Sequence, residues 1–172
     1  ELLDVAYLCS FKRYPANDKL GIITVSGGVG ILLADQASAI GLDVAELPQH
    51  SQDAIRQMLP FAAAANPVDV TAQFITRPEL VGPMFDHMLT GAGYGSAIAF
   101  FTHTARNKAL FGKLMPHFEA IGRKHADRVL VLSTLADLEV RKNLEGLGYA
   151  VFEDPSRAVN AVHALVRLRA AF

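Results

Sequence analysis

Residues 24–36 read TVSGGVGILLADQ: the end of an apolar run, a serine, three closely spaced glycines, and then an apolar helix pattern with no gap between them. Just upstream, GIITV is an unbroken stretch of the kind found in a strand covered on both faces. The helical pattern runs from Val29 to Ile40 and stops at Gly41. A strand that passes into a helix through little but glycine is a βα unit. It leaves a bare helix start at a strand end, where backbone N–H groups face outward and the helix dipole favours negative charge.

Working outward, the alternation continues. Strand patterns are expected at GIITVS, at Leu42–Leu47, at GSAIAFFT, at RVLVLST and at YAVFE. Helices are expected over Ser51–Leu59, with Ser51 as N-cap and Asp53 in the first turn, and over Pro78–Leu89, Arg106–Lys124 and Asp137–Leu147, the last closed by Gly148. A final helix, Pro155–Arg169, is opened by Pro155. The stretch PFAAAANPVDVTAQ reads as irregular, since Pro67 drives Asn66 out of the helical region. Segments as uniformly apolar as IAFF and VLVL need cover on both faces. The expected fold is therefore α/β: a doubly wound, mainly parallel five-stranded sheet with helices on both sides, flavodoxin-like in size.

Residues 1–19 read differently. Leu2–Cys9 has a short amphipathic helical pattern and FKRYPANDKL reads as a linker, so 1–19 is expected to come from an upstream domain and 20–172 to form the sheet domain. The chain begins with Glu rather than Met, which reads as a piece of a longer polypeptide.

The 172 residues, 51% of them hydrophobic, are enough for a sizeable core without covalent staples. A net charge of −1 with interspersed signs leaves no basic field for nucleic acid or anionic lipid, so any anion must be held locally. One cysteine, Cys9, excludes an internal disulfide framework and a cysteine zinc site, in keeping with a reducing cytoplasm. No apolar run is long enough for a membrane span.

In such sheets ligands lie beyond the carboxyl ends of the strands, where strand order reverses. Four loops are expected there: SGGVG, AANPVDVT, THTARN and STLAD. Ser26, Gly27, Gly28, Val29 and Gly30 combine close backbone approach with free amides, which suits a phosphoryl group held without lysine or arginine. The same glycines also suit a tight turn that serves packing alone. The spacing is neither that of a P-loop nor G-x-G-x-x-G. Asn66, Asp69 and Thr71 are candidates to line the site, Asp69 equally as a brace of its own loop. His103, Arg106 and Ser133 follow or end strands and could border the same space, although His103 has no carboxylate near it in sequence and reads best as a surface histidine. His50, His87, His117, His125 and His163 show no metal-binding spacing.

With these residues in view, the chain resembles the NDP-forming acyl-CoA synthetases, relatives of succinyl-CoA synthetase. TVSGGVGILLADQASAIGL resembles the strand, glycine loop and helix of their second flavodoxin-like ligase domain, and NPVDVT its Asn-Pro-hydrophobic-Asp motif. ELLDVAYLCSFKRYPANDKL and YAVFEDPSRAVNAVHAL resemble the segments on either side. The resemblance implies a modular cytoplasmic enzyme with a CoA-binding Rossmann domain, two ligase domains and an ATP-grasp module, using CoA, ATP/ADP and Mg. In it a phosphorylated histidine is cradled by two helix N-termini, one of them supplied here by Ser26–Gly30. That histidine belongs to a Ser-His-Thr-Gly segment upstream. THT at 102–104 lacks the glycine and follows a middle strand, so the role is not carried to His103.

The fragment is therefore expected to bind no cofactor alone and to be inactive alone. Its expected partners are the other domains, on the same chain or a partner subunit; a homo-oligomer is also allowed. A non-catalytic module binding acyl-CoA or a partner, and a free-standing FMN protein, are the competing readings.

Overall fold

In the computed structural model residues 2–171 are described. Among them the strands are β1 (Leu20–Thr24), β2 (Val68–Asp69), β3 (Ser96–Phe100), β4 (Val129–Ser133) and β5 (Tyr149–Phe152). The helices are α1 (Leu2–Ser10), α2 (Gly27–Ala39), α3 (Gln49–Met58), α4 (Val81–Ala92), α5 (Lys108–Lys124), α6 (Leu138–Gly146) and α7 (Pro155–Ala170). All pairings are parallel and the sheet order is β2-β1-β3-β4-β5. Chain direction across the sheet thus reverses between β1 and β3, which fixes where a crevice opens.

The uniformly apolar strands do need two covers. Leu20, Ile22, Ile98, Val131 and Phe152 face a layer made by α1, α2 and α7, whereas Ile23, Ala99, Leu130, Leu132 and Val151 face α3, α4, α5 and α6. Gly41 and Gly148 end α2 and α6 at positive φ, 95° and 89°, a conformation that side chains with a Cβ avoid.

Three expectations need correction. Leu42–Leu47 forms no strand; it packs Leu42 and Leu47 into the core, and its backbone meets the start of β1 at an isolated bridge between Lys19 and Asp43. The fifth strand is instead Val68–Asp69, inside the stretch that reads as irregular. The cause is Asn66: its Oδ1 accepts the Ile22 N–H and its Nδ2 donates to the Leu20 and Ala45 carbonyls. One carboxamide thus occupies the lower edge of β1, and β2 pairs only with Ile23 and Thr24 above it. Ser51 is not an N-cap either. Pro48 stands at the cap of α3, and Ser51 is buried in the first turn, facing Gly91 so closely that no Cβ would fit there. The pattern expected to start at Arg106 begins at Lys108, where Asn107 Oδ1 accepts the Leu110 N–H.

Residues 2–10 pack on α7, where the Arg157 guanidinium grips the Asp4 carboxylate with two hydrogen bonds. The outer edge of β5 is capped by side chains. Tyr7 Oη accepts the Val151 N–H at 2.9 Å while donating to Glu145, and Arg141 donates to the Val151 carbonyl. This closes an edge that would otherwise invite pairing with another chain. Burial and the Glu145 bond push the Tyr7 hydroxyl up to about 12. No helix among the described residues is long and apolar enough to cross a membrane.

α4 and α5 are tied by Asp86, whose two oxygens meet His125 Nε2 at 2.8 Å and Lys124 Nζ at 2.7 Å. Burial pushes the Asp86 carboxyl up, but its hydrogen bonds to Lys124 and His125 outweigh that and hold it below its ordinary value. Its contribution is therefore present above the unfolded carboxylate value of about 3.9 and is lost as pH falls through the folded one. Urea unfolding at neutral pH should show Asp86→Asn destabilised by about 1 kcal/mol. The gap between the variant and the native protein should close below about pH 4; an unchanged gap at low pH would contradict this account.

Candidate functional site

Because all strands run the same way, the segments after Thr24, Asp69, Phe100 and Ser133 share one edge of the sheet. At the reversal point the two walls are the start of α2 and the segment that follows β3.

The first wall is built by Thr24. Its Oγ1 accepts the Ser26 N–H at 2.9 Å and donates to the Ser26 carbonyl at 3.0 Å, pinning the residue before the helix in an extended conformation. Helix α2 then begins at Gly27, two residues earlier than the pattern indicates, so Gly27 and Gly28 lie inside the first turn. The Gly30 N–H already donates to the Ser26 carbonyl, and the Ser26 N–H is held by Thr24. The amides left without a partner among the described residues are those of Gly27, Gly28 and Val29, three donors at the positive end of a 13-residue helix.

The five candidates in this loop thus separate into different jobs. Gly30 is a packing glycine: a Cβ there would sit 2.9 Å from Thr24 Cγ2 and 3.1 Å from Pro67 Cβ. Gly27 leaves room for Asp69, whose Oδ2 would be 2.8 Å from a Cβ at that position. Gly28 is exposed, with nothing within 4 Å of where a Cβ would stand. Ser26 contributes backbone, and its hydroxyl makes no capping bond.

Asp69 stands beside this helix start. Its Oδ1 accepts the Thr71 N–H at 2.8 Å, bracing the turn as an Asx motif does. Thr71 has φ 56°, and its Oγ1 accepts the Gln73 N–H. Asn66, in contrast, lies lower down the sheet with its carboxamide engaged on β1, so of AANPVDVT only the Asp-Val-Thr part reaches the carboxyl edge.

The second wall begins at Thr102, with φ 47°. Its carbonyl is held from two sides, by the Leu135 N–H at 2.8 Å and Thr134 Oγ1 at 2.9 Å. A β-branched residue in the left-handed region is strained and persists only where its surroundings fix it. Thr71 and Thr102 both occupy that region, one just after β2 and the other just after β3. His103 is exposed, its Nδ1 3.3 Å from Thr102 Oγ1, and no carboxylate accompanies it. Arg106 is exposed and makes no ion pair among the described residues. Ser133 does not border the crevice: it is fully buried in β4, and its hydroxyl has no partner among the described residues. Thr24 and Thr134, which hold the two walls, escape the sequence reading. A threonine ending a strand three residues before a glycine run is the only signal Thr24 gives. Among the described residues no cluster of three histidine, cysteine or carboxylate groups is placed to hold a metal.

This sheet order, with a bare helix start at the reversal point, defines a doubly wound domain of the flavodoxin-like class. The chain belongs to the Ligase-CoA domain family, which it matches over residues 20–152. It is 25% identical over 171 residues to the alpha subunit of an ADP-forming acetate–CoA ligase I of Pyrococcus furiosus, covering 97% of this chain and 36% of that one. It is 30% identical over 100 residues to a trans-feruloyl-CoA synthase of an unknown prokaryotic organism, 58% of this chain and 14% of that one. Among solved structures, a Pyrococcus horikoshii protein superposes with a TM-score of 0.78 at 22% identity, over 96% of this chain and 38% of that one. The dinucleotide-forming acetyl-coenzyme A synthetase 1 of Ca. Korarchaeum cryptofilum, in its apo form, gives 0.75 at 21%, over 97% and 37%. The chain therefore spans little more than a third of the P. furiosus relative and of these solved chains.

The division among the glycines is open to direct measurement. Gly28→Ala should stabilise the chain by about 0.5–1 kcal/mol, as alanine does in place of helical glycine. Gly30→Ala should cost about 1–3 kcal/mol, because neither Thr24 nor Pro67 can retreat from the new methyl. Denaturant midpoints for the two variants test this, and equal shifts would refute it.

Proposed function

We propose that this chain is the ligase domain of an NDP-forming acyl-CoA synthetase, in which the start of α2 holds the phosphoryl group of a phosphohistidine brought by another domain. Three unpartnered amides at the carboxyl edge of the sheet, those of Gly27, Gly28 and Val29, carry the reading. A phosphoryl group on imidazole is an anion in transit. Neutral amides and a helix dipole stabilise it without the tight ion pair that a lysine would form. Asp69 Oδ2 beside Gly27 offers an acceptor to the donor side of the incoming group. On this reading the substrate carboxylate, CoA and nucleotide, with its Mg, are bound largely by the Rossmann, first ligase and ATP-grasp domains. Residues 1–19 lead in from an upstream domain, and the chain alone is inactive. A cytoplasmic enzyme follows from the same reading.

The test uses the full-length parent with its ATP-grasp partner and labelled ATP, comparing native protein with Gly28→Asp. The substitution places a carboxylate in the first turn of α2, where the dipole favours it and no atom obstructs it, so the fold is retained. Acid-labile phosphate on histidine should fall by about tenfold or more, as expected when a carboxylate faces the phosphoryl group. Equal labelling would reduce the glycines to a turn, and no labelling in the native protein would favour a non-catalytic binding module.

A further inference from the structure

We propose that Thr24 is a positioning residue of the crevice: its hydroxyl keeps Ser26 from capping α2 and so decides which amides of the helix start are free. That those amides meet a phosphoryl group rests on the ligase reading above; that Thr24 frees them does not.

Serine is among the residues that cap helices best, through a hydroxyl that accepts the N–H of the second or third helical residue. Ser26 stands at the cap of α2 with its backbone extended, yet its hydroxyl makes no such bond. The second and third residues of this helix are Gly28 and Val29, so a capping Ser26 would consume one of the three free amides. Thr24 holds it off. Its Oγ1 accepts the Ser26 N–H at 2.9 Å and donates to the Ser26 carbonyl at 3.0 Å, so one side chain binds the peptide groups on both sides of the Ser26 Cα. That fixes both backbone angles of the serine together.

Thr24 has no freedom of its own to give way. It is fully buried, its carbonyl accepts the Val70 N–H, and its methyl lies so close to Gly30 that a Cβ there would stand 2.9 Å away. The Ser26 carbonyl that it orients is also the acceptor of the Gly30 N–H, so the hydroxyl sets the first bond of the helix as well. Without that hydroxyl the Ser26 N–H loses its partner and the serine backbone relaxes. Its side-chain oxygen then takes the capping bond that its residue type favours. The helix gains a cap and the crevice loses an amide.

Two substitutions separate the halves of the threonine. Thr24→Val keeps the methyl against Gly30 and removes the hydroxyl, whereas Thr24→Ser keeps the hydroxyl and removes the methyl. Both should lower the denaturant midpoint, one by lost hydrogen bonds and the other by lost packing, so stability alone predicts no difference between them in function. In the isotope-labelled chain, amide hydrogen exchange at Gly28 and Val29 should be fast in the native protein and in Thr24→Ser. In Thr24→Val one of the two amides should exchange about tenfold more slowly, and adding Ser26→Ala should abolish that protection. In the full-length parent with its ATP-grasp partner, Thr24→Val should lower phosphohistidine labelling about tenfold or more, as loss of one preorganised donor does, and leave KM for ATP unchanged. Thr24→Ser should retain the labelling, and Thr24→Val with Ser26→Ala should recover it. Unchanged exchange in Thr24→Val, or a labelling defect that Ser26→Ala does not relieve, overturns the proposal. Slowed exchange with undiminished labelling overturns the role of Thr24 in the crevice. No labelling in the native parent overturns the ligase reading instead, and the exchange measurement still decides what Thr24 does to the amides.

Discussion

The close contact between α2 and the edge of the sheet sets the geometry of everything around the reversal point. Gly30 lies against Thr24 and Pro67 with no room for a methyl group, so the helix axis can approach β1 and β2 as closely as backbone allows. The same Thr24 that touches Gly30 through its methyl fixes Ser26 through its hydroxyl. The helix start and the helix packing are thereby set by one side chain, buried at the end of β1. Below it Asn66 ties the segment before β2 to β1 through two hydrogen bonds and to the Ala45 carbonyl through a third, which positions Pro67 under Gly30 and Asp69 beside Gly27. The two quoted motifs, the glycine run and NPVD, are thus a single packed unit although some forty residues separate them.

Much of this architecture was legible because it rests on local pattern. The runs in β1, β3, β4 and β5 are apolar enough to demand cover on both faces, and Gly41, Gly148 and Pro155 punctuate helices where their backbone chemistry requires. What was not legible depends on contacts between distant segments. Leu42–Leu47 has a strand-like composition, but the position beside β1 is taken by a carboxamide and a two-residue strand. Ser133 ends a strand at the right edge of the sheet, but parallel pairing on both sides buries it. Alternation cannot reveal either outcome, since both concern which neighbour arrives first at a given edge. The glycines illustrate the same limit at smaller scale. Three residues of one type in four positions separate into an exposed first-turn position with open space around it, a gap for a carboxylate and a packing contact, and only tertiary neighbours distinguish them.

The two walls of the crevice differ in how they meet charge. The α2 wall offers neutral donors with Asp69 close by, whereas the wall after β3 offers His103, Arg106 and Lys108 on exposed backbone. A permanently bound polyanion would favour cations at close range on both sides. An anion that must arrive and leave is better served by donors that carry no net charge, with the cations set back where they attract from solution. That is the arrangement the proposed role, holding a phosphoryl group in transit, would call for.

Strain follows the same division. Thr71 and Thr102 take up a left-handed conformation that a β-branched residue avoids, and each is held by hydrogen bonds from its neighbours: Asp69 and Gln73 around the first, Thr134 and Leu135 around the second. Such residues cost roughly 1–3 kcal/mol apiece, so they persist only where the rest of the fold supplies that stability. Here the supply is the sheet core, with β1, β3 and β4 almost entirely buried between two helical layers. The rigid sheet lies below and the strained turns lie on its carboxyl edge, so the crevice walls stand in fixed positions before any ligand arrives. Under the proposed function, a domain docking against preset amides and a preset carboxylate would need only to bring its own group to the correct place.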